Sequence, residues 1–263
     1  MINRKSPAQI DKIARAGEIV AGCLDMLRGK CRPGATTAGL DAVAERFIRE
    51  RGGIPTFKGY RGFPASICAS PNEVVVHGIP GDYILAEGDI ISLDVGVTLK
   101  GWVADAATTV GVGEVSGQAR RLMDVTETSL LKAISRFRQG NHLSDISSAV
   151  QEYVEHNGYS VVRSLVGHGI GRDMHEEPQI PNFGVPGGGP ELEEGMVFAI
   201  EPMVNVGEHR VKVGDDRWAV STADGSLSAH FEHTVALSRE GPKILTAGTA
   251  FDRSNLDTAS MLW

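Results

Sequence analysis

Apolar positions recur at helical spacing twice before residue 52, and the same pattern returns later in the chain. From Ser6 to Leu27 they fall at Ile10, Ile13, Ala14, Ile19, Val20 and Leu24, with Ser6-Pro7 as cap and first-turn proline. A second helix is predicted over Thr37–Arg51, where Leu40, Val43, Ala44, Phe47 and Ile48 share a face and Gly52-Gly53 ends it. About 106 residues on, Arg32, Gly34, Leu40, Phe47 and Gly52 align without gaps onto Arg138, Gly140, Ile146, Tyr153 and Gly158. A helix over about Leu122–Phe137 then stands where the first one stood.

The echo extends into the strands. His77-Gly-Ile is matched by His168-Gly-Ile, and Leu85-Ala-Glu-Gly by Leu192-Glu-Glu-Gly. In both copies the glycine leads into an apolar strand that ends in a carboxylate, Asp94 or Glu201. Three matches in one order imply a duplication: two half-domains about a pseudo-twofold axis, with a cleft between them for a site. Asp89–Val97 and Trp102–Val112 form a predicted hairpin around Lys100-Gly101. Strands are further expected over Val197–Val204, Arg210–Val213, Arg217–Ser221 and Ser228–Leu237, and a loose tail after Ala247. The reading is one catalytic domain over 1–263, with halves of about 6–115 and 116–247 and a tail of 248–263.

Composition narrows the class of protein. Apolar residues make up 41% and charged residues 22%, ordinary globular usage. A net charge of −7 with no dense Lys/Arg block disfavours a broad nucleic-acid face. Cys23, Cys31 and Cys68 form neither a disulfide framework nor a C-x-x-C pair, as expected in a reducing compartment. No apolar run has signal-peptide or membrane-span length, so the expectation is a soluble, cytoplasmic protein.

Against this background the polar residues at strand ends stand out. Asp94 closes Ile-Ile-Ser-Leu, Asp105 sits across the hairpin, and Glu201 and Glu232 follow apolar runs in the second half. One such residue alone reads equally well as a strand-end carboxylate bonding to turn amides. Four inward carboxylates need a common cation, from Lys212, Arg210 or a metal, and a pair of divalent ions answers the charge best. His168, between glycines in Gly167-His-Gly-Ile-Gly171, offers a nitrogen ligand, with His77 and His175 as neighbours. A set this rich in oxygen suits Mn, Fe or Co, with Zn admitted. Gly111-Val-Gly-Glu-Val-Ser-Gly117 has the wrong spacing for a dinucleotide loop, and His175-Glu-Glu-Pro-Gln is not H-E-x-x-H. Cys68 reads as a structural thiol rather than a nucleophile.

Taken together, Ser66–Pro80, Leu93-Asp-Val-Gly, Gly167–Pro178, Gly195–Pro202 and Phe231-Glu-His-Thr234 resemble type I methionine aminopeptidases, over about residues 6–247. The resemblance implies an α+β pita-bread (creatinase/aminopeptidase) fold, two pseudo-symmetric αβ halves around a central curved antiparallel sheet. It implies removal of the initiator methionine from nascent proteins and peptides whose second residue is small. By the family's motifs, Asp94, Asp105, His168, Glu201 and Glu232 match ligands of two divalent metal ions (Co, Mn, Fe, Zn or Ni), with Asp105 and Glu232 bridging. His77 and His175 match residues that contact substrate and steady the tetrahedral intermediate, and Glu201 also shuttles the proton. Tyr60, Phe63, Cys68, Met174 and Trp218 match the methionine pocket, although the family more often has Tyr in place of Phe63 and an aromatic in place of Met174.

The resemblance also carries expectations about form and partners. The chain reads as the short form, without an amino-terminal extension or a large helical insert, and as a monomer. Its client is the N-terminal methionine of peptides or of nascent chains at the ribosome, with no nucleic-acid specificity and no membrane. Two alternatives stand beside it: an Xaa-Pro aminopeptidase or dipeptidase of the same fold, and a binding relative without metal or turnover.

Overall fold

The structure, a computed structural model, describes residues 2–248. The expected tail lies outside the described residues from position 249 onward, Trp263 included. Helices α1 (Pro7–Arg28) and α2 (Thr37–Glu50) stand where the apolar spacing puts them, α3 (Gly117–Arg136) begins five residues before the expected Leu122, and α4 (Leu143–His156) falls where the repeat places the counterpart of α2. Backbone N–H groups at their first turns find oxygen acceptors; Thr36 Oγ1 accepts from Gly39 and Ser116 Oγ from Ala119, both at 3.1 Å.

All strand pairings among the described residues are antiparallel. The long hairpin Ile90–Leu99/Trp102–Gly111 turns at Lys100-Gly101, whose φ values of 51° and 75° match the strand twist. One face of α1, including Ile13, Val20 and Leu27, joins Val95 and Val97 of this hairpin in the first core. A second core joins α3 and α4 to the strands of the other half, where Phe137 stacks on Phe198 with centroids 4.7 Å apart.

The duplication is written into the backbone hydrogen bonds. Gly34 donates to Leu85 at 2.8 Å, and Gly140 donates to Leu192 at 3.3 Å. Thr37 donates to Tyr83 and Leu143 to Pro190, both at 3.0 Å. Gly34 and Gly140 share a φ of 87°, and Gly88 and Gly195 share 91°, so each pair makes the same left-handed turn.

Two expected strands are broken, and the breaks fall at carboxylates. The run expected over Val197–Val204 divides into Val197–Ile200 and Met203–Asn205, because Pro202 has no N–H to give a ladder. The run expected over Ser228–Leu237 divides into Ser228–His230 and His233–Ser238 around Phe231-Glu232. At this second break the chain turns its pairing to the first-half hairpin instead. Glu232 donates to the Ala107 carbonyl at 2.9 Å and Ala107 donates back at 3.3 Å. On either side of this pair a threonine hydroxyl takes the place of a peptide group. Thr234 Oγ1 accepts from Asp105 N–H at 3.1 Å and donates to its carbonyl at 2.7 Å. Thr109 Oγ1 does the same for His230, at 2.9 and 2.8 Å. The pseudo-twofold therefore passes through the Ala107–Glu232 pair, and Asp105 and His230 occupy corresponding positions.

This seam is buried, so its hydroxyls have no water to replace them. Thr109→Val keeps the shape and strands both backbone groups of His230, and is expected to cost about 2–3 kcal/mol. Urea unfolding measures it; a loss below ~0.5 kcal/mol would show that those groups find other partners.

Candidate functional site

Four carboxylates and three histidines meet where the two halves join. Asp94 comes from the first strand of the hairpin, opposite Cys68 and Ala107, and Asp105 from the second. His168 stands on Val166–Gly169, paired across from Ala199, and Glu201 follows directly on the strand that holds Ala199. Asp105, Glu232 and His168 are only 1%, 2% and 7% exposed.

One ligand atom each of Asp105, His168 and Glu232 lie within 4.8 Å of one another. His168 Nε2 is 3.6 Å from both Asp105 Oδ2 and Glu201 Oε1. The His168 ring is oriented by Nδ1, 2.9 Å from the Gly169 carbonyl. Only N–H at Nδ1 makes that a hydrogen bond, which leaves the lone pair of Nε2 facing the carboxylates. Glycine is required here: a Cβ on Gly169 would lie 2.2 Å from the Glu177 carbonyl oxygen. In the matching His-Gly-Ile, a Cβ on Gly78 would lie 2.3 Å from the Ala69 oxygen, and His77 takes a φ of 59°.

Among the described residues no Lys or Arg forms an ion pair with these four carboxylates. Arg210 pairs with Glu208 at 2.6 Å and Lys212 is exposed; neither lines the site. The buried Asp94 Oδ1 has no hydrogen-bond partner among the described residues. Burial, then the neighbouring negative charges, hold Asp94, Glu201 and Glu232 well above the ordinary carboxylate range. Asp105 is pushed up to about 7 by burial, tempered by its hydrogen bond from Thr234. Burial pushes His168 down to about 4. Four carboxylates that resist ionisation, one orphaned oxygen and a presented imidazole lone pair fit a divalent cation.

The four carboxylates and His168 line one end of a cavity of about 180 Å³. Tyr60, Phe63, Cys68, Met174 and Trp218 all line it, together with His77 and His175. Phe63 and Trp218 meet edge to face at 5.1 Å. Tyr60 Oη is 2.8 Å from His175 Nδ1, and the His175 ring lies 4.3 Å from that of His168. His175 is exposed at the mouth, yet its ring is flanked on both sides. That desolvation, with nearby His168, Arg61 and His77, brings it down to about 4. Cys68 is buried in the cavity wall, and its thiol is pushed up, above all by desolvation.

Three further residues belong to this site. Phe57 and Arg61 line the cavity, and Arg61 is the only Lys or Arg among the lining residues. Phe57 packs so closely that a Cβ on Gly96 would lie 2.6 Å from its ring. His230 stands with Nε2 3.8 Å from Glu201 Oε2. The alternation of a strand offered a signal for it, since His230 and Glu232 are two apart. Phe57 and Arg61 lie in an irregular stretch that has no such period.

Comparison with known proteins agrees with this geometry. Residues 11–239 match metallopeptidase family M24. A methionine aminopeptidase of Clostridium perfringens is 55% identical over 246 residues, which are 94% of this chain and 99% of that one. Methionine aminopeptidase 1 of Bacillus subtilis is 51% identical, with the same two coverages of 94% and 99%. The crystal structure of methionine aminopeptidase from Thermotoga maritima superimposes with a TM-score of 0.92 at 44% identity, covering 94% of this chain and 99% of that one. An Xaa-Pro dipeptidase from Bacillus anthracis shares the fold at a TM-score of 0.75 and 21% identity, with 93% of this chain covering 62% of that longer one. The fold is the pita-bread fold, and no helix among the described residues is long and apolar enough to cross a membrane. With the family matched across most of its length, and relatives at half identity or more covered almost end to end, this chain belongs to metallopeptidase family M24.

Proposed function

We propose that this chain is a methionyl aminopeptidase, a metal-dependent hydrolase that removes an N-terminal methionine when the second residue is small. The observation that carries this reading is the carboxylate–histidine cluster set against a short cavity walled by aromatic and sulfur side chains. At about 180 Å³ the cavity is below the ~300 Å³ where drug-sized pockets begin, a size for one side chain rather than a peptide. Methionine's flexible thioether suits such walls. The relatives at 51–55% identity carry the same name and are covered almost completely.

Asp94, Asp105, His168, Glu201 and Glu232 would hold the two divalent ions, with Asp105 and Glu232 beside His168 at the centre of the set. Mn, Fe, Co, Zn and Ni are all compatible with this donor set. Bound there, such ions acidify water, anchor the free α-amine and polarise the first peptide carbonyl. An anchored amine explains cleavage of a single residue. Glu201 would take the proton of the attacking water and return it to the leaving nitrogen. With Tyr60 Oη as the donor in its 2.8 Å contact to His175 Nδ1, the proton of His175 would stand on Nε2, where it would meet the carbonyl oxygen as charge develops. His77, the first-half counterpart of His168, would hold the peptide from the other side. Peptides and nascent chains that begin with methionine are the clients.

The test is release of free methionine from Met-Ala-Ser and Met-Leu-Ser, with Ala-Pro as a third substrate. Metal-dependent cleavage of Met-Ala-Ser, at least about tenfold faster than Met-Leu-Ser, is the expected outcome, since one poorly fitted side chain costs ~1–3 kcal/mol. Cleavage of Ala-Pro alone would transfer the chain to the Xaa-Pro peptidases. No cleavage with any metal would make it a binding relative.

A further inference from the structure

His230 is 2% exposed, and its Nε2 has no hydrogen-bond partner among the described residues. A buried ring nitrogen without a partner is rare enough to require an explanation. Its backbone leaves the ring little freedom to seek one. Thr109 clamps both peptide groups of His230 across the seam, and the strand register sets it opposite Met203.

What the nitrogen faces is the far side of Glu201. Glu201 Oε1 looks towards His168 Nε2 at 3.6 Å, and Oε2 looks towards His230 Nε2 at 3.8 Å. The carboxylate thus stands between two imidazoles with one oxygen turned to each. His168 presents a lone pair to the cluster, because its proton is engaged at the Gly169 carbonyl. His230 has no such engagement at Nε2. The pseudo-twofold adds an independent observation: His230 holds the position that Asp105 holds in the first half, each clamped by the corresponding threonine.

We propose that His230 is a positioning residue: its Nε2–H holds Oε2 of Glu201, so that Oε1 alone faces the cation site. The inference rests on the metallopeptidase reading of that site. It requires no change in the protonation of His230. The approach from 3.8 Å to hydrogen-bond distance is a small rotation of the Glu201 carboxylate. Held in this way, Glu201 cannot swing to chelate with both oxygens, and its facing oxygen keeps one orientation for ligation and proton transfer.

The test compares His230→Gln, which keeps an N–H donor of similar reach, with His230→Leu, which fills the space without one. Mn²⁺ binding is followed by electron paramagnetic resonance, the Co²⁺ visible spectrum reports ligand geometry, and kcat and KM are measured on Met-Ala-Ser. His230→Leu is expected to weaken Mn²⁺ binding by about 10–100-fold, shift the Co²⁺ bands and lower kcat more than it raises KM. His230→Gln is expected to stay within about threefold of the parent on each readout. Should the leucine variant not fold, His230→Asn, whose amide stops short of Glu201, carries the comparison. Wild-type Mn²⁺ affinity in His230→Leu, or equal loss in the leucine and glutamine variants, overturns the role given to His230 and leaves the metal site standing. A parent protein that binds no Mn²⁺ and cleaves no Met-Ala-Ser overturns both.

Discussion

Asp105→Asn is expected to lower turnover of Met-Ala-Ser by roughly 10³-fold or more, about 4 kcal/mol of transition-state stabilisation. Asparagine keeps the shape and still accepts from Thr234, so the seam survives. What it removes is the charge facing His168 and the proton shared with Glu232. The same substitution carries a second expectation of opposite sign. In the metal-free protein burial lets the Asp105 carboxylate ionise only at about 7. At pH 8 it is a desolvated charge that asparagine lacks, so metal-free Asp105→Asn should melt at a higher temperature than the metal-free parent. Calorimetry after chelation and a methionine-release assay check the two halves together. A variant that keeps its activity, or that is less stable than the parent without metal, would refute the assignment of Asp105. Thr234→Val offers a contrast, because it would damage the fold and the ligand at once.

Chelation is expected to abolish methionine release, with recovery on adding Mn²⁺ or Co²⁺, and to reverse the pH dependence of stability. The signs follow from which state binds more protons. Histidines 168, 175, 230 and 233 sit at about 3 to 4 in the folded chain, against 6.5 unfolded. They favour folding increasingly as pH rises to about 6.5, and then contribute no further slope. The carboxylates act the other way. Asp105 sits at about 7, and Asp94, Glu201 and Glu232 well above their ordinary values, so the folded state keeps protons that the unfolded chain has lost. Below pH 6.5 the two groups oppose each other. Between about 6.5 and 8 only the carboxylates titrate, and the metal-free protein should lose stability. With metal the slope inverts, because protons and metal compete for the same oxygens and deprotonation strengthens binding, adding stability by mass action. Melting temperatures at pH 6.5 and 8, with and without Mn²⁺, decide it. Parallel slopes in the two series would mean that these carboxylates hold no cation.

Much of this was legible before any coordinates. The spacing of Ile10, Ile13 and Val20, and of Leu40, Ala44 and Ile48, marked helices within a residue or two of their ends. Lys100-Gly101 announced the hairpin turn. Asp94, Asp105, Glu201 and Glu232 were conspicuous because each interrupts or closes a run of apolar residues, where a carboxylate is costly unless something binds it. The breaks at Glu201-Pro202 and Phe231-Glu232 were missed because both segments have the composition of a continuous strand. Pro202 was the available signal for the first. For the second there was none, since the alternative pairing of Glu232 with Ala107 lies in the other half of the molecule.

Local pattern thus specifies which side chains are apolar, which turns are tight and which residue types can bind a cation, because each is a property of a few neighbouring residues. Arg210 and Lys212 could have been the counter-charge as far as pattern goes; in the fold both are exposed, Arg210 just before and Lys212 within the strand Val211–Val213, and neither lines the cavity that holds the cluster. Phe57 and Arg61 joined the cavity, and His230 came to stand behind Glu201, through contacts between segments far apart in the chain. The clamp of Thr109 on His230 links residues 121 apart, and that of Thr234 on Asp105 links residues 129 apart. Periodicity says which face of a strand is buried, not which other face it meets, and the chemistry of this site belongs to the meeting.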